Sequence, residues 1–589
     1  MSRIKRYKNL LIPAAAVLVW GLLGFFFDFY FDLNDDSVMK DILSGRYSGV
    51  PEGRAVQTLY PLGALIAGLY RVLPGDVYGA ALLALQALAG ALCTAALTRR
   101  LWPNGCGEES KAGVRQGEKG CVPAGIAEAV CAGLLFIVPL FRYLIFVQYT
   151  MTVAMLMAAA GALMSSADYG EEKGAVVRKC LLPTAVFAAA YLLRTEMALL
   201  LLPLAGTGLI LRLVRQGRFG NARRKTAREA ALVIALVAAV ILAGEGADRL
   251  ALSSPEWRSF RTFFDARTEL YDFVGCPSEY MAFEGNEEFY SGIGMDREEV
   301  LLLENYNFAL DDNLDAGKMS AAAAHAAGNK KEALSLGGEL RRAFWEYRHS
   351  LAGGADAAFA VLTAAAYLVF LAAAGGSAAG KFAQAAVLFA VRTGLWMFIL
   401  YRGRAPERIT FGLWITELMV LFALTAAEPP GEKTWRRPAA VAVTGVILLL
   451  ILPGRVRETT AEYGSREETN RARTAYEAYC DAHPEGFYIT DVYSTVDFSE
   501  KMFVPGGGEE LMPSNRDLAG GWLAFSPLQK KKLDALGLPG SLSEALLAGN
   551  DVYFVVESGG DVSFLPGEPV LTDTIGEFFD VYSCRPEKQ

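Results

Sequence analysis

Histidine is nearly absent from this chain. Its 589 residues contain three, His325, His349 and His483, and none lies in an apolar run. That argues against membrane chemistry built on an intramembrane histidine or a histidine-ligated metal. The eight cysteines are scattered without CxxC or Cys/His spacing, so neither a zinc site nor a dense disulfide framework is indicated. Charge is sparse too: 20% of the residues are charged, where a soluble protein carries about 25%. No Gly-rich phosphate loop marks a strand–helix turn, so no nucleotide-sugar site is expected, and no nucleic-acid partner. No repeat of fixed period is found, which weighs against a transporter built from symmetric halves.

Apolar sequence fills the chain instead, at 53% hydrophobic residues. Runs of bilayer-crossing length fall at 10–31, 76–98, 124–141, 144–166, 179–193, 197–214, 229–251, 353–375, 381–401, 409–427 and 437–453. They predict a polytopic α-helical membrane protein of about eleven transmembrane helices. The first run follows a basic start, "MSRIKRYK", like a signal peptide. It is too long for one, and it ends in Phe, Tyr and Asp instead of a small-residue cleavage site, so it is expected to remain as the first helix.

Two pairs of runs are separated only by Arg142-Tyr143 and by Arg194-Thr195-Glu196. Kept apart, and with the N-terminus cytoplasmic, they put the basic loops on the cytoplasmic side. Those loops hold Arg99, Arg100, Lys111, Arg115 and Lys119; Lys173, Arg178 and Lys179; "RLVRQGRFGNARRKTARE" (212–229); and Lys433, Arg436 and Arg437. Fusing either pair alone moves most of that load outside, against the positive-inside rule. Residues 103–122 read as a Gly- and charge-rich cytoplasmic loop without periodicity.

In this topology a transmembrane module (1–453) carries a first exterior loop (32–75) and a large one (252–352), and a tail (454–589) follows outside. The tail reads as a small extracytoplasmic α/β domain. "GFYITDVYSTVDF" and "NDVYFVVES" are strand-like, and "SPLQKKKLDALGL" and "SLSEALLAG" helix-like, the second with a Ser cap. The tail also holds Cys480 and Cys584, whose spacing carries no pairing signal.

Candidate chemistry gathers at the outer ends of the spans. "FDLNDDSVMKDILSG" places Asp35 and Asp36 just past the first span, before a short amphipathic helix stopped at Ser44-Gly45. Two acids there serve plainly as an N-cap and polar flank; they are also candidate catalytic groups. "LYPLGALIAGLYRVLPG" (59–75), which contains Tyr60, is too short to span and reads as an interfacial helix. Arg194 and Glu196 sit between two apolar helices, either as an ion pair closing a tight hairpin or as cavity lining. Arg402, Arg404 and Arg408 crowd a very short exterior loop against the positive-inside trend. Guanidinium forks suit phosphate oxygens, so an anionic ligand competes with membrane-lipid headgroups and with acids of the long loop as their partner. "RTFFDARTELYDFVG" (261–275), with Asp265, Arg267, Glu269 and Asp272, suits an interfacial helix or a sugar-binding face. "ENYNFALDDNLD" (304–315) reads as a loop.

Carboxylates and arginines on the outer face fit transfer of a sugar from a lipid-linked phosphosugar. Arginines hold the leaving phosphate and a carboxylate takes the acceptor proton. At this point the chain resembles the GT-C superfamily of multi-span glycosyltransferases, which use polyprenyl-phosphate-linked sugars. The likeness lies in "FDLNDDSVMKDILSG", "LYPLGALIAGLYRVLPG" and the terminal domain; its motif is short, essentially Asp35-Asp36. The resemblance implies a bacterial cell-membrane enzyme with a lipid-linked donor and a glycan, lipid or protein acceptor. It implies Asp35 or Asp36 as base, Arg402, Arg404 and Arg408 as phosphate holders, and Arg194, Glu196, Arg267 and Tyr60 as cavity lining. No metal-ligand set is evident, which leaves a divalent cation open. The chain is similar more loosely to membrane proteins of Gram-positive anaerobes carrying a "GGWLAFSPLQKKKL"-like stretch, a likeness that supplies no activity. An O-antigen polymerase- or ligase-like enzyme has arginines and a large exterior loop but no acid pair after the first span. A non-enzymatic protein with an exterior binding domain makes that pair dispensable. A transporter needs charges at mid-span, and here Glu245, Glu417 and Asp356 are read as lying toward helix ends.

Overall fold

The computed structural model describes residues 2–98, 118–169, 176–216, 222–333, 335–427, 436–504, 512–548 and 551–586. Of the basic residues invoked above, Arg99, Arg100, Lys111, Arg115, Lys173, Arg218 and Lys433 lie outside these residues. So do positions 103–117 of the Gly-rich loop, whose last residues instead open the Glu118–Ile137 helix.

Among the described residues, seven helices are long and apolar enough to cross a membrane: Val77–Leu97, Tyr149–Ser166, Thr195–Gln216, Arg224–Ala251, Ala378–Tyr401, Glu407–Ala426 and Pro438–Ala482. The other four expected runs are helical but shorter, at Leu11–Phe26, Ile126–Ile137, Lys179–Leu193 and Ala357–Ala373. Both short separations hold as breaks. A 3-10 turn (Phe141–Leu144) follows Ile137, and Arg194 is extended (φ −157°, ψ 112°) between Leu193 and Thr195. Tyr149–Ser166 and Glu407–Ala426 form the centre, with 94% and 83% of their apolar windows buried; in Pro438–Ala482 the share is 11%. Small residues let the central helices approach closely. A Cβ on Gly208, for example, would stand 2.2 Å from Ser165 Oγ.

One expectation about the spans is corrected. Glu417 lies at the middle of its helix, fully buried, and meets Arg392 of the neighbouring span at 3.5 Å. Tyr367 donates to Glu417 Oε1 at 2.6 Å, and the Arg392 guanidinium lies 4.7 Å and 5.0 Å from the Phe389 and Trp414 ring centres. Mutual neutralisation and these ring faces make the two charges tolerable at that depth. Periodicity hides such a pair because it joins residues 25 apart on two helices.

Seven strands are present among the described residues. β1 (Tyr30–Phe31) and β2 (Phe146–Val147) form a parallel two-residue ladder, which fastens the chain after the first helix beside the start of the Tyr149–Ser166 helix. β3 (Phe487–Thr490), β4 (Arg516–Leu518), β5 (Val552–Glu557), β6 (Glu568–Ile575) and β7 (Phe579–Arg585) make a mixed sheet in the order β4-β3-β5-β7-β6. Of the strand-like "GFYITDVYSTVDF", only Phe487–Thr490 is strand; Asp491 caps a helical turn from Val492. Pro527–Ala535 and Leu542–Leu547 are helices capped by Ser526 and Ser541. Cys480 and Cys584 are free, buried thiols.

The boundary at 453/454 falls inside one 47-residue helix, Arg436–Ala482, which passes Pro453 and carries the chain from bundle to sheet. The Ala, Arg and Glu that follow Pro453 keep it helical. The long loop and the tail also share one core: Phe263, Leu270 and Phe308 pack in one cluster with Ile489, Phe554 and Leu546. Asn307 is the pin. It donates to Asp491 Oδ1 at 2.6 Å and accepts from the Val492 N–H at 3.1 Å.

Candidate functional site

The Asn34–Ser44 helix follows β1 by two residues and carries both acids in its first turn, where carboxylates match the helix dipole. Neither is the N-cap, which is Leu33. The helix stops at Gly45 (φ 91°), where a Cβ would come within 2.6 Å of the Pro51 nitrogen.

Adjacent positions on a helix point about 100° apart, and the two acids meet different fates. Asp36 is fully buried. Its Oδ1 accepts from the Tyr78 hydroxyl at 2.8 Å and the Tyr149 N–H at 3.2 Å, while Oδ2 has no partner among the described residues. Burial pushes this carboxyl well above the usual range, and the Tyr78 bond opposes that only in part. Asp36 thus fastens the loop to two spans.

Asp35 is half-buried and has no hydrogen-bond or ion-pair partner among the described residues. Its charge bears on Arg194, Tyr149 and Arg267. The Arg194 guanidinium donates to the Tyr149 hydroxyl and to Thr150 Oγ1 at 2.7 Å, with its carbon 4.8 Å from the Tyr149 ring centre. Arg267 is nearly enclosed, donates to the Tyr306 hydroxyl, and lies 3.6 Å from Asp272. Burial holds its guanidinium below the ordinary value, partly offset by Asp272 and Asp35. Arg404 reaches the same Asp272 carboxylate at 2.8 Å.

Arg408, in the first turn of the Glu407–Ala426 helix, has no hydrogen-bond or ion-pair partner among the described residues; its charge also bears on Tyr149. The sequence candidates Asp35, Asp36, Arg194, Arg267, Arg404 and Arg408 therefore converge around Tyr149 and Asp272. Three do not join them. Arg402 lies over the Phe273 ring, 3.9 Å from Glu269, and both charges are well exposed. Glu196 is 74% exposed and reaches Arg194 only at 3.7 Å. Tyr60 gives its N–H to Asp248 at 2.9 Å and faces Arg54 in a separate group.

Sequence reasoning missed Tyr78, Tyr149 and Tyr306, which position the charged groups. A tyrosine opening an apolar helix, as in "QYTMT", signals only an interfacial ring. No group of three or more potential metal ligands gathers among the described residues. No protein-family model, curated protein or solved structure matches the chain.

Proposed function

We propose that this protein is an integral-membrane glycosyltransferase that moves a sugar from a polyprenyl-(pyro)phosphate donor to an extracytoplasmic acceptor. One observation carries the reading: Asp35 is an unpaired, half-exposed carboxylate within the field of Arg194 and Arg267, with the unpaired Arg408 acting on the same tyrosine. Seven helices of membrane-crossing length and composition support it, as does the resemblance of the opening loop to GT-C enzymes.

In the reaction, Asp35 removes the proton of an acceptor hydroxyl as that oxygen attacks the anomeric carbon. A new C–O bond forms, the bond from that carbon to the phosphate oxygen breaks, and the phosphate leaves with the electron pair. Arg408 meets its charge, with Arg194 and Arg404 beside it. Such a base contributes about 10²–10⁴-fold to rate. The buried Asp36 is the scaffold for that base.

The test is sugar transfer from radiolabelled polyprenyl-phosphate sugars in membranes holding matched amounts of wild type, Asp35→Asn or Asp36→Asn. Wild-type transfer is expected, lost in Asp35→Asn and largely kept in Asp36→Asn, with and without added divalent cation. Transfer untouched by Asp35→Asn would remove the base assignment, and no transfer from any donor would remove the enzyme reading.

A further inference from the structure

A second face of the Asn34–Ser44 helix opens on a cleft that the transfer chemistry above does not use. Asn34, Val38 and Asp41 recur at helical spacing along its wall. The far wall is made by Arg473 of the long helix and by the 514–523 segment beside β4, including Asp517 and Trp522. The cleft offers about 100 Å³ and opens to solvent at its mouth.

Its floor is a built one. Lys532 is completely buried, 3.7 Å from the Asp517 carboxylate, with its ammonium 4.4 Å from the Tyr47 ring centre; the Tyr47 hydroxyl donates to Asp517 at 3.1 Å. Burying a lysine is costly, and here the cost secures the orientation of one carboxylate and one aromatic ring at the base of a cavity. Asp41 stands on the wall with its Oδ1 3.5 Å from the Lys40 ammonium. Asp41 and Asp517 stand against Arg473, Arg516 and the buried Lys532. Both arginines are also met from outside the cleft, Arg473 by Glu477 at 3.0 Å and Arg516 by Asp481 at 3.0 Å. A phosphate or a carboxylate-rich peptide finds no surplus positive charge here. A neutral polyol finds the Asp41 carboxylate as an acceptor for its hydroxyls and the Trp522 ring for its C–H faces.

We infer that this cleft binds the hydroxyl-rich glycan acceptor. The inference rests on the transferase reading and deepens it, because one short helix then presents the base on one face and acceptor contacts on the next. Asn34, on the cleft wall, is the chain neighbour of Asp35, so the cleft lies against the same helix turn that carries the proton-accepting carboxylate.

The experiment is a titration of the full-length, detergent-solubilised protein with neutral tetrasaccharides of glucose, mannose, galactose and N-acetylglucosamine, read by tryptophan fluorescence. At least one is expected to give a saturable change. Asp41→Asn and Trp522→Leu are expected to weaken it at least tenfold, at an unchanged unfolding temperature. Asp517→Asn serves as the independent variant should Asp41→Asn unfold, and Asp35→Asn should bind like wild type. Binding that survives while Asp35→Asn leaves transfer intact would overturn the catalytic reading but keep the glycan cleft. No saturable change with any of the four, or one indifferent to Asp41, Asp517 and Trp522, would overturn the cleft assignment.

Discussion

Asp32 and Asp35 stand three residues apart on one loop, and both face arginines, yet their surroundings differ in kind. Asp32 is gripped: Arg142 lies 3.0 Å and Arg466 2.6 Å from its Oδ1. The same two arginines hold Glu462 at 2.6 Å each. Two acids and two arginines thus close a ring joining β1, the turn after Ile137 and the long helix. Asp35 feels Arg194 and Arg267 but bonds to neither. In the ring every charge has an opposite charge in contact, whereas an unpaired carboxylate among arginines is left open to a ligand. Pairing, more than residue type, separates scaffold from site here.

The largest expected effect follows from that contrast. Asp35→Asn should lower transfer by about 10²–10⁴-fold with no change in thermal unfolding. Asp32→Asn should do the reverse, lowering the unfolding temperature while activity per folded molecule holds. Unfolding followed by fluorescence in detergent, beside the transfer assay, reads both quantities. If the two variants behave alike, the distinction between the acids collapses.

Next in size is the closed ring itself. Removing one member of a buried pair costs about 3–5 kcal/mol. Asp32 is 6% exposed, but Arg142 and Arg466 are 23% and 19% exposed, so solvent screens part of the loss. Asp32→Ala is expected to cost about 2 kcal/mol, and the Asp32→Ala, Glu462→Ala double variant less than the sum, because both acids use the same arginines.

A smaller effect of the same ring appears with pH. Burial raises the Glu462 pKa, but the bonds and charges of Arg142 and Arg466 outweigh it and leave the carboxyl below its ordinary value. A depressed acid contributes stability above its unfolded pKa, near 4.3, and that contribution is lost as pH falls through the folded value. Wild type should therefore lose unfolding temperature below about pH 4.3 more steeply than Glu462→Gln. Parallel curves would mean the ring is not closed in solution.

Much of the scaffold was legible beforehand, because helices announce themselves in local sequence. The eleven apolar runs each contain a helix, seven of membrane-crossing length and composition; the short helix that carries Asp35 and Asp36 ends at Gly45, and the breaks at Arg142 and Arg194 hold. What was hidden joins residues far apart in the chain. Arg142 meets Glu462 across 320 positions and Asp36 meets Tyr78 across 42, and no periodicity encodes either meeting. The same blindness placed Glu417 near a helix end and missed Arg392. It also drew a boundary at 453/454 through a continuous helix, because apolar sequence stops there while helix propensity does not. For the candidate site, the residue types were legible but not the division of labour between Asp35 and Asp36. That depends on which of two neighbouring side chains meets Tyr78.

The smallest expected effect tests the edge of the site. The sequence grouped Arg402, Arg404 and Arg408, and the structure separates them. Arg402 and Glu269 are 42% and 52% exposed and 3.9 Å apart, a geometry worth about 0.3 kcal/mol in water. Arg402→Ala should therefore leave the unfolding temperature within error and change transfer less than about twofold, the factor such an energy corresponds to. Arg408→Ala removes an unpaired guanidinium and should raise the donor KM or lower kcat well beyond that. Arg404→Ala falls between, because Asp272 keeps Arg267 as a partner at 3.6 Å. An Arg402→Ala loss equal to that of Arg408→Ala would mean that the carrier phosphate sits over the exposed loop, and the site would then extend outward past Phe273.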